Sequence, residues 1–223
     1  MSGGPLGSPA PSPAGDLEPV EPRERTPEAV LEALAAGNAR YRAGRPHHPH
    51  QGAVDRAALI GGQRPIAAVV ACSDARVPPS VVLDQGLGDL FVIRVAGHAL
   101  GDNVVASVHY AVEQLGVPVV LVLGHEGCGA VGLTLDTVRA GGDETAPLVR
   151  AIAPAAHEAL ARCEGADAAY DEAVRLHAGA TAATLRADPR LNVRIARGDL
   201  AVRDAVYRLS SGRIDGLEAP ATV

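Results

Sequence analysis

The chain has 223 residues, 47% of them hydrophobic, which is enough to bury a substantial core and makes one large α/β domain the simplest expectation. All 20 basic residues are arginine and 26 residues are acidic, so the net charge of −6 speaks against nucleic acid or an anionic membrane surface as partner and for a small-molecule substrate. Three cysteines cannot form the even disulfide framework of a small secreted protein, no signal peptide is visible, and the longest apolar run, VPVVLVLG, is too short to span a bilayer, so the expectation is a cytoplasmic protein with reduced thiols.

Residues 1 to 25 are dense in Pro, Gly and Ser and carry almost nothing to bury, which predicts a disordered tail, with one domain over 26–223. A helix follows, with Thr26 as N-cap, Pro27 at its first position, apolar Val30, Leu31 and Leu34, and a stop at Gly44. Then the pattern alternates. IAAVVAC reads as a strand, PPSVVLDQG as a short helix, LFVIRV as a strand, and DNVVASVHYAVEQLG as a helix with Val104, Val105, Val108, Val112 and Leu115 on one stripe. VPVVLVLG is a third buried strand, followed by a glycine-rich turn into another helix. Continuous apolar strands separated by helices predict a mostly parallel sheet covered on both faces. Two Ala-rich stretches, about 146 to 163 and 166 to 187, read as helices, and LAVRDAVYRLSSGRIDGL as a late antiparallel hairpin turning at Ser211 and Gly212.

Ligands of such sheets gather where strands end and turns lead into helices, and two turns of this kind carry chemistry. The first, ACSDARVPPS (71–80), places Cys72, Asp74 and Arg76 at alternate positions after an apolar run. The second, GHEGCGAVG (124–132), offers His125 and Cys128. Cys72, His125 and Cys128 form a two-sulfur, one-nitrogen set that suits zinc, with Asp74 or a water completing a tetrahedron, the pattern of a catalytic rather than a closed structural site. The start of the following helix favours Cys128 as a thiolate. Each piece also has a plainer reading: Cys72 as a small core residue, the glycine turn as the phosphate loop of a nucleotide binder, or the whole set as structural zinc in a non-catalytic module.

CSDARV, GDLFVIRVAGH and GHEGCGAV together resemble the β-class carbonic anhydrases, whose signature is Cys-x-Asp-x-Arg followed roughly fifty residues later by His-x-x-Cys; here Cys72 and His125 are 53 positions apart. The likeness runs from about residue 27, where GNARYRAG is similar to the family's N-terminal helix, to the hairpin near 217. It implies that Cys72, His125 and Cys128 hold zinc and that Asp74 and Arg76 form the catalytic dyad. In that scheme Arg76 keeps Asp74 off the metal, a zinc-bound hydroxide attacks carbon dioxide to give bicarbonate, and Asp74 becomes a fourth ligand only in a closed form. Gln63, nine residues before Cys72, together with Phe91 and Tyr110, matches substrate-binding positions of the plant-like branch, and Ala96 and Gly97 lie in the adjoining segment. The resemblance further implies an active site at a dimer interface, hence a homodimer or larger even oligomer. Relatives of the same chemistry hydrolyse carbonyl sulfide or carbon disulfide.

The chain departs from the family where RVAGH stands in place of the frequent RNAGN, which puts Val95 and His98 near the pocket. His98 is either a proton shuttle or a packed imidazole. His47, His48 and His50, flanked by prolines, read as surface residues rather than a metal tract, and Cys163 as a structural cysteine of a helix.

Overall fold

The computed structural model describes residues 25–217, so all but the last residue of the expected disordered tail lies outside the described residues. In chain order the elements are α1 (Pro27–Arg42), α2 (Ala53–Ala58), β1 (Ala67–Cys72), α3 (Pro79–Val82), β2 (Leu90–Val95), a 3-10 turn (Ala96–His98), α4 (Asp102–Glu113), β3 (Val119–His125), α5 (Gly129–Arg139), α6 (Pro147–Arg162), α7 (Ala166–Ala187), α8 (Pro189–Ala196), β4 (Ala201–Tyr207) and β5 (Ile214–Asp215). The strands form one sheet in the order β2-β1-β3-β4-β5, with β5 antiparallel to β4 and every other pairing parallel. No helix among the described residues is long and apolar enough to cross a membrane.

Successive strand residues serve opposite faces. Val69 and Ala71 of β1, with Leu121 and Leu123 of β3, pack under α1 and α3 beside Val30, Leu34 and Leu83. Ala68, Val70, Val120 and Val122 face the other way, onto Val104, Val108 and Val112 of α4 and Ala178, Ala182 and Leu185 of α7. Small residues let α7 approach closely: a Cβ added at Gly124 would sit 3.2 Å from that of Ala178. Thr26 caps α1 through its hydroxyl oxygen, as its sequence position predicts.

Three expectations need correction. The strand LFVIRV is not covered on both faces, because β2 is the sheet edge and its Val92 and Arg94 are exposed. The helix expected over PPSVVLDQG is only four residues long, since Asp84 adopts a left-handed φ of 48° just after it. Cys163 stands just beyond α6, in extended conformation at its C-cap.

The histidine-rich loop is tied down by carboxylates. Asp84 accepts from the His47 and His48 backbone N–H groups, both at 3.0 Å, and from Arg40 Nε at 2.6 Å, and His50 Nδ1 lies 2.9 Å from Asp89. Burial alone would raise the Asp84 carboxyl, but the His47, Arg40 and His48 donors together hold it below its ordinary range. Since the folded value is the lower one, the stabilisation is complete above about pH 4 and is lost as pH falls through the folded value. Asp84→Asn should therefore cost about 2–3 kcal/mol at pH 7 and progressively less as pH falls below about 4. Urea melts at both pH values read this, and an equal loss at both would show that the charge plays no part.

Candidate metal centre

β1 ends at Cys72 and β3 at His125, and because Ala71 pairs with Leu123 the two ends lie side by side at the carboxyl edge of the sheet. The chain then turns through Gly127, whose φ of 64° suits glycine, and Cys128 becomes the N-cap of α5. This turn returns the second sulfur to the first.

The ligand atoms of Cys72, His125 and Cys128 all lie within 4.8 Å of one another, and all three residues are buried. The His125 Nδ1–H donates to the Glu126 carbonyl at 2.9 Å, leaving Nε2, buried and without a hydrogen-bond partner, with its lone pair toward the sulfurs. The two sulfurs stand 3.9 Å apart, close to the roughly 3.8 Å that two thiolates span on a tetrahedral zinc. Soft donors, matching span and an orphaned imidazole nitrogen fit zinc.

Electrostatics point the same way. The Cys128 thiol donates to Cys72, and together with the backbone N–H groups of Asp74 and Gly97, the latter at 3.3 Å, it pulls the Cys72 thiol down toward thiolate against the effect of burial. Cys128 itself is pushed up, by Cys72 first and by burial second. The N–H groups of Val131 and Ala130 at the start of α5 do pull it toward thiolate, as the sequence predicts, but more weakly. The Cys72 thiolate thus opposes ionisation of Cys128, and a divalent cation between them removes that opposition.

Asp74 and Arg76 form a forked pair beside this cluster. Arg76 Nε and its own backbone N–H both reach Asp74 Oδ1 at 2.9 Å, Nη2 reaches Oδ2 at 2.7 Å, and Nη2 also donates to the Gly127 carbonyl at 2.9 Å. One guanidinium thereby joins both turns. It holds the Asp74 carboxyl well below the usual carboxylate range. Asp74 Oδ2 lies 3.9 Å from His125 Nε2, facing the cluster.

The remaining sequence candidates are placed differently. Val95 pairs with Cys72, so Ala96 and Gly97 follow directly beside the site. Phe91 pairs with Ala68, four positions back along the strand, or roughly 13 Å at about 3.3 Å per residue. Its ring meets that of Tyr110 at 5.9 Å, and the exposed Gln63 shares an open groove with Ile60 and Leu87. Phe91 and Tyr110 thus sit together along β2 from the cluster of their own chain, and the groove that Gln63 lines includes none of Cys72, His125 and Cys128. His98 is fully buried and stacked on His177 with ring centroids 4.5 Å apart, the packed imidazole of the two readings.

Other residues that hold the site were not picked out in the sequence. Arg94 of β2 donates to the carbonyls of Cys72 at 2.9 Å and Asp74 at 2.5 Å, and the Tyr170 hydroxyl of α7 donates to that of Cys128 at 2.7 Å. Glu126 accepts from Ser210 N–H at 3.0 Å, fastening the second turn to the hairpin. Arg94 stands within the quoted VIRVAGH, but only the β1–β2 register shows what it touches.

Comparison with known proteins is consistent with this geometry. The family model for carbonic anhydrase matches residues 67–214. Carbonic anhydrase 2 of Mycobacterium tuberculosis is 41% identical over 191 residues, covering 84% of this chain and 91% of its own length. A carbonic anhydrase of Mycolicibacterium smegmatis is 40% identical over 192 residues, covering 85% and 92%. Among solved structures, the β-carbonic anhydrase CcaA aligns with a TM-score of 0.65 at 27% identity, covering 82% of this chain and 93% of its own. A structure from a study of two tetrameric β-carbonic anhydrases of Sordaria macrospora aligns with a TM-score of 0.63 at 27% identity, covering 82% and 94%.

Proposed function

Since the chain belongs to the β-class carbonic anhydrases, we propose that it hydrates carbon dioxide reversibly to bicarbonate and a proton at a zinc ion held by Cys72, His125 and Cys128. The observation that carries this reading is the convergence of two buried sulfurs and an unpartnered imidazole nitrogen within 4.8 Å. Zinc bound there supplies a Lewis acid that makes water acidic enough to serve as nucleophile near neutral pH. Asp74 does the orienting: with Oδ1 and Oδ2 both engaged by Arg76, its carboxylate is a fixed acceptor that takes the hydrogen bond of the attacking water and turns the water's lone pair toward carbon. Arg76 keeps that carboxylate from acting as a ligand itself.

Gln63, Phe91 and Tyr110 act on the site of a second copy of the chain. Three observations support this: the four-residue offset of Phe91 from the Cys72 pairing, the edge position of β2, and the exposure of Val92 and Tyr110 and of Ile60 and Leu87 beside Gln63. Ala96 and Gly97 line the pocket from the chain that holds the metal. The close, unlinked thiols of Cys72 and Cys128 suit a reducing, cytoplasmic compartment.

Stopped-flow hydration of carbon dioxide on metal-quantified protein tests the reading, with about one zinc per chain and rapid turnover expected. Turnover of carbonyl sulfide or carbon disulfide alone would reassign the substrate, and zinc without turnover would make the fold a non-catalytic module. Gln63→Ala should retain zinc and fold while kcat/KM falls about ten- to a thousandfold through loss of one oriented donor. Unchanged kinetics would remove Gln63 from the substrate site.

A further inference from the structure

We propose that His177 is a positioning residue for the metal centre: its ring N–H holds the Gly97 turn so that the Gly97 backbone N–H stays aimed at the Cys72 sulfur. This rests on the assignment of Cys72 as a metal ligand.

The turn following β2 has little of its own to hold it. Gly97 has a φ of 58°, and a Cβ there would lie 2.8 Å from Ile152 Cδ1 and 2.9 Å from Ala130 Cβ, so the position admits no side chain. His98, the next residue, is also left-handed, with a φ of 43°, a conformation that costs a non-glycine residue about 1 kcal/mol or more unless tertiary contacts enforce it. α5 and α6 supply apolar contacts through Ala130 and Ile152, and α7 supplies the polar one. His177 Nε2 stands 2.8 Å from the Gly97 carbonyl, and as a carbonyl only accepts, the proton is on Nε2. The His98 ring packs against that of His177, with centroids 4.5 Å apart and planes tilted by 33°.

Burial lowers His177 below the ordinary imidazole value even though the Gly97 carbonyl pulls the other way, so its single N–H is committed to that carbonyl. Burial keeps His98 neutral as well. The result is a two-bond relay, from His177 N–H to the Gly97 carbonyl and from the Gly97 N–H to Cys72 Sγ at 3.3 Å. A hydrogen bond to a thiolate fixes its direction and lowers the energy of its lone pairs, and both effects tune a metal site.

Gln and Met give the test because they have nearly equal size and length, Gln places an amide N–H near the imidazole Nε2, and Met has no donor. Full-length His177→Gln and His177→Met, loaded with zinc or cobalt(II), are compared for metal release to excess chelator, for the thiolate-to-cobalt absorption band and for thermal stability. His177→Gln should release zinc within about threefold of the wild-type rate, and His177→Met about ten- to a hundredfold faster. In His177→Met the cobalt band should move to longer wavelength, since the sulfur lone pairs lie higher without the Gly97 bond. If Met does not fold, Asn, too short to reach Gly97, must behave as predicted for Met. Donor-free and donor-bearing variants that match in release rate and band position would overturn the proposal while leaving the metal assignment intact. A wild-type chain that takes up no metal would overturn both.

Discussion

Asp74→Asn is expected to keep its zinc and lose carbon dioxide hydration by about a hundred- to ten-thousandfold, the range of a lost proton acceptor. The carboxylate has only acceptors, and it uses both oxygens on Arg76 while Oδ2 faces the cluster, 3.9 Å from His125 Nε2. An amide of the same shape forces a conflict. If its oxygen stays with Arg76 Nε, its NH2 group confronts Arg76 Nη2 and presents a hydrogen to the attacking water where an acceptor is required. None of the three metal ligands is touched, so metal content should not change. Sign matters for the pH test. Because the Arg76 hydrogen bonds depress the Asp74 carboxyl, the wild-type group is an anion throughout the neutral range, and it loses its charge only as pH falls through a value below the ordinary carboxylate range. The ratio of wild-type to Asp74→Asn activity should therefore be flat from about pH 6 to 9. A variant within a few-fold of wild type, or a ratio that collapses toward unity within that range, would take the orienting role away from Asp74.

Cys128→Ser should lose the metal itself, from about one zinc per chain to below about a tenth, and with it essentially all activity. Cys128 is fully buried at the N-cap of α5, 3.9 Å from Cys72 Sγ. A serine oxygen is shorter-armed, hard and un-ionised at neutral pH, and it leaves Cys72 and His125 as two ligands where three are needed. Elemental analysis alongside circular dichroism separates metal loss from unfolding. A folded, fully zinc-loaded Cys128→Ser protein would exclude Cys128 from the ligand set.

Much of the fold is legible along the chain because it rests on local periodicity. AAVVAC and VVLVLG are apolar throughout and became the neighbouring interior strands β1 and β3, buried at every position. Val104, Val108 and Val112 lie on one stripe and became the buried face of α4. Two elements escaped. α2 buries none of its residues, so AVDRAA carries no stripe to detect. α8 buries only Leu191, although Asp188 before Pro189 is a readable helix start, and the Asp188 side chain does accept the Arg190 and Leu191 N–H groups. The exposure of β2 could not be read from LFVIRV, since its residues suit a central strand and the strand order alone makes it an edge.

By itself the sequence determined what the centre is made of. Cys72 closes one apolar run, His125 closes another with Cys128 just after it, and thiolate and imidazole donors at strand ends limit the ion they can share, whatever the rest of the chain does. Only the tertiary structure decided how those donors are held. Arg94 reaches the Cys72 carbonyl across 22 residues, Tyr170 reaches that of Cys128 across 42, and His177 reaches that of Gly97 across 80. Every residue offers the same backbone carbonyl, so no side-chain pattern marks which of them a distant donor will find. The same holds for Phe91, whose place is set by the register of β2 on β1 rather than by its own identity.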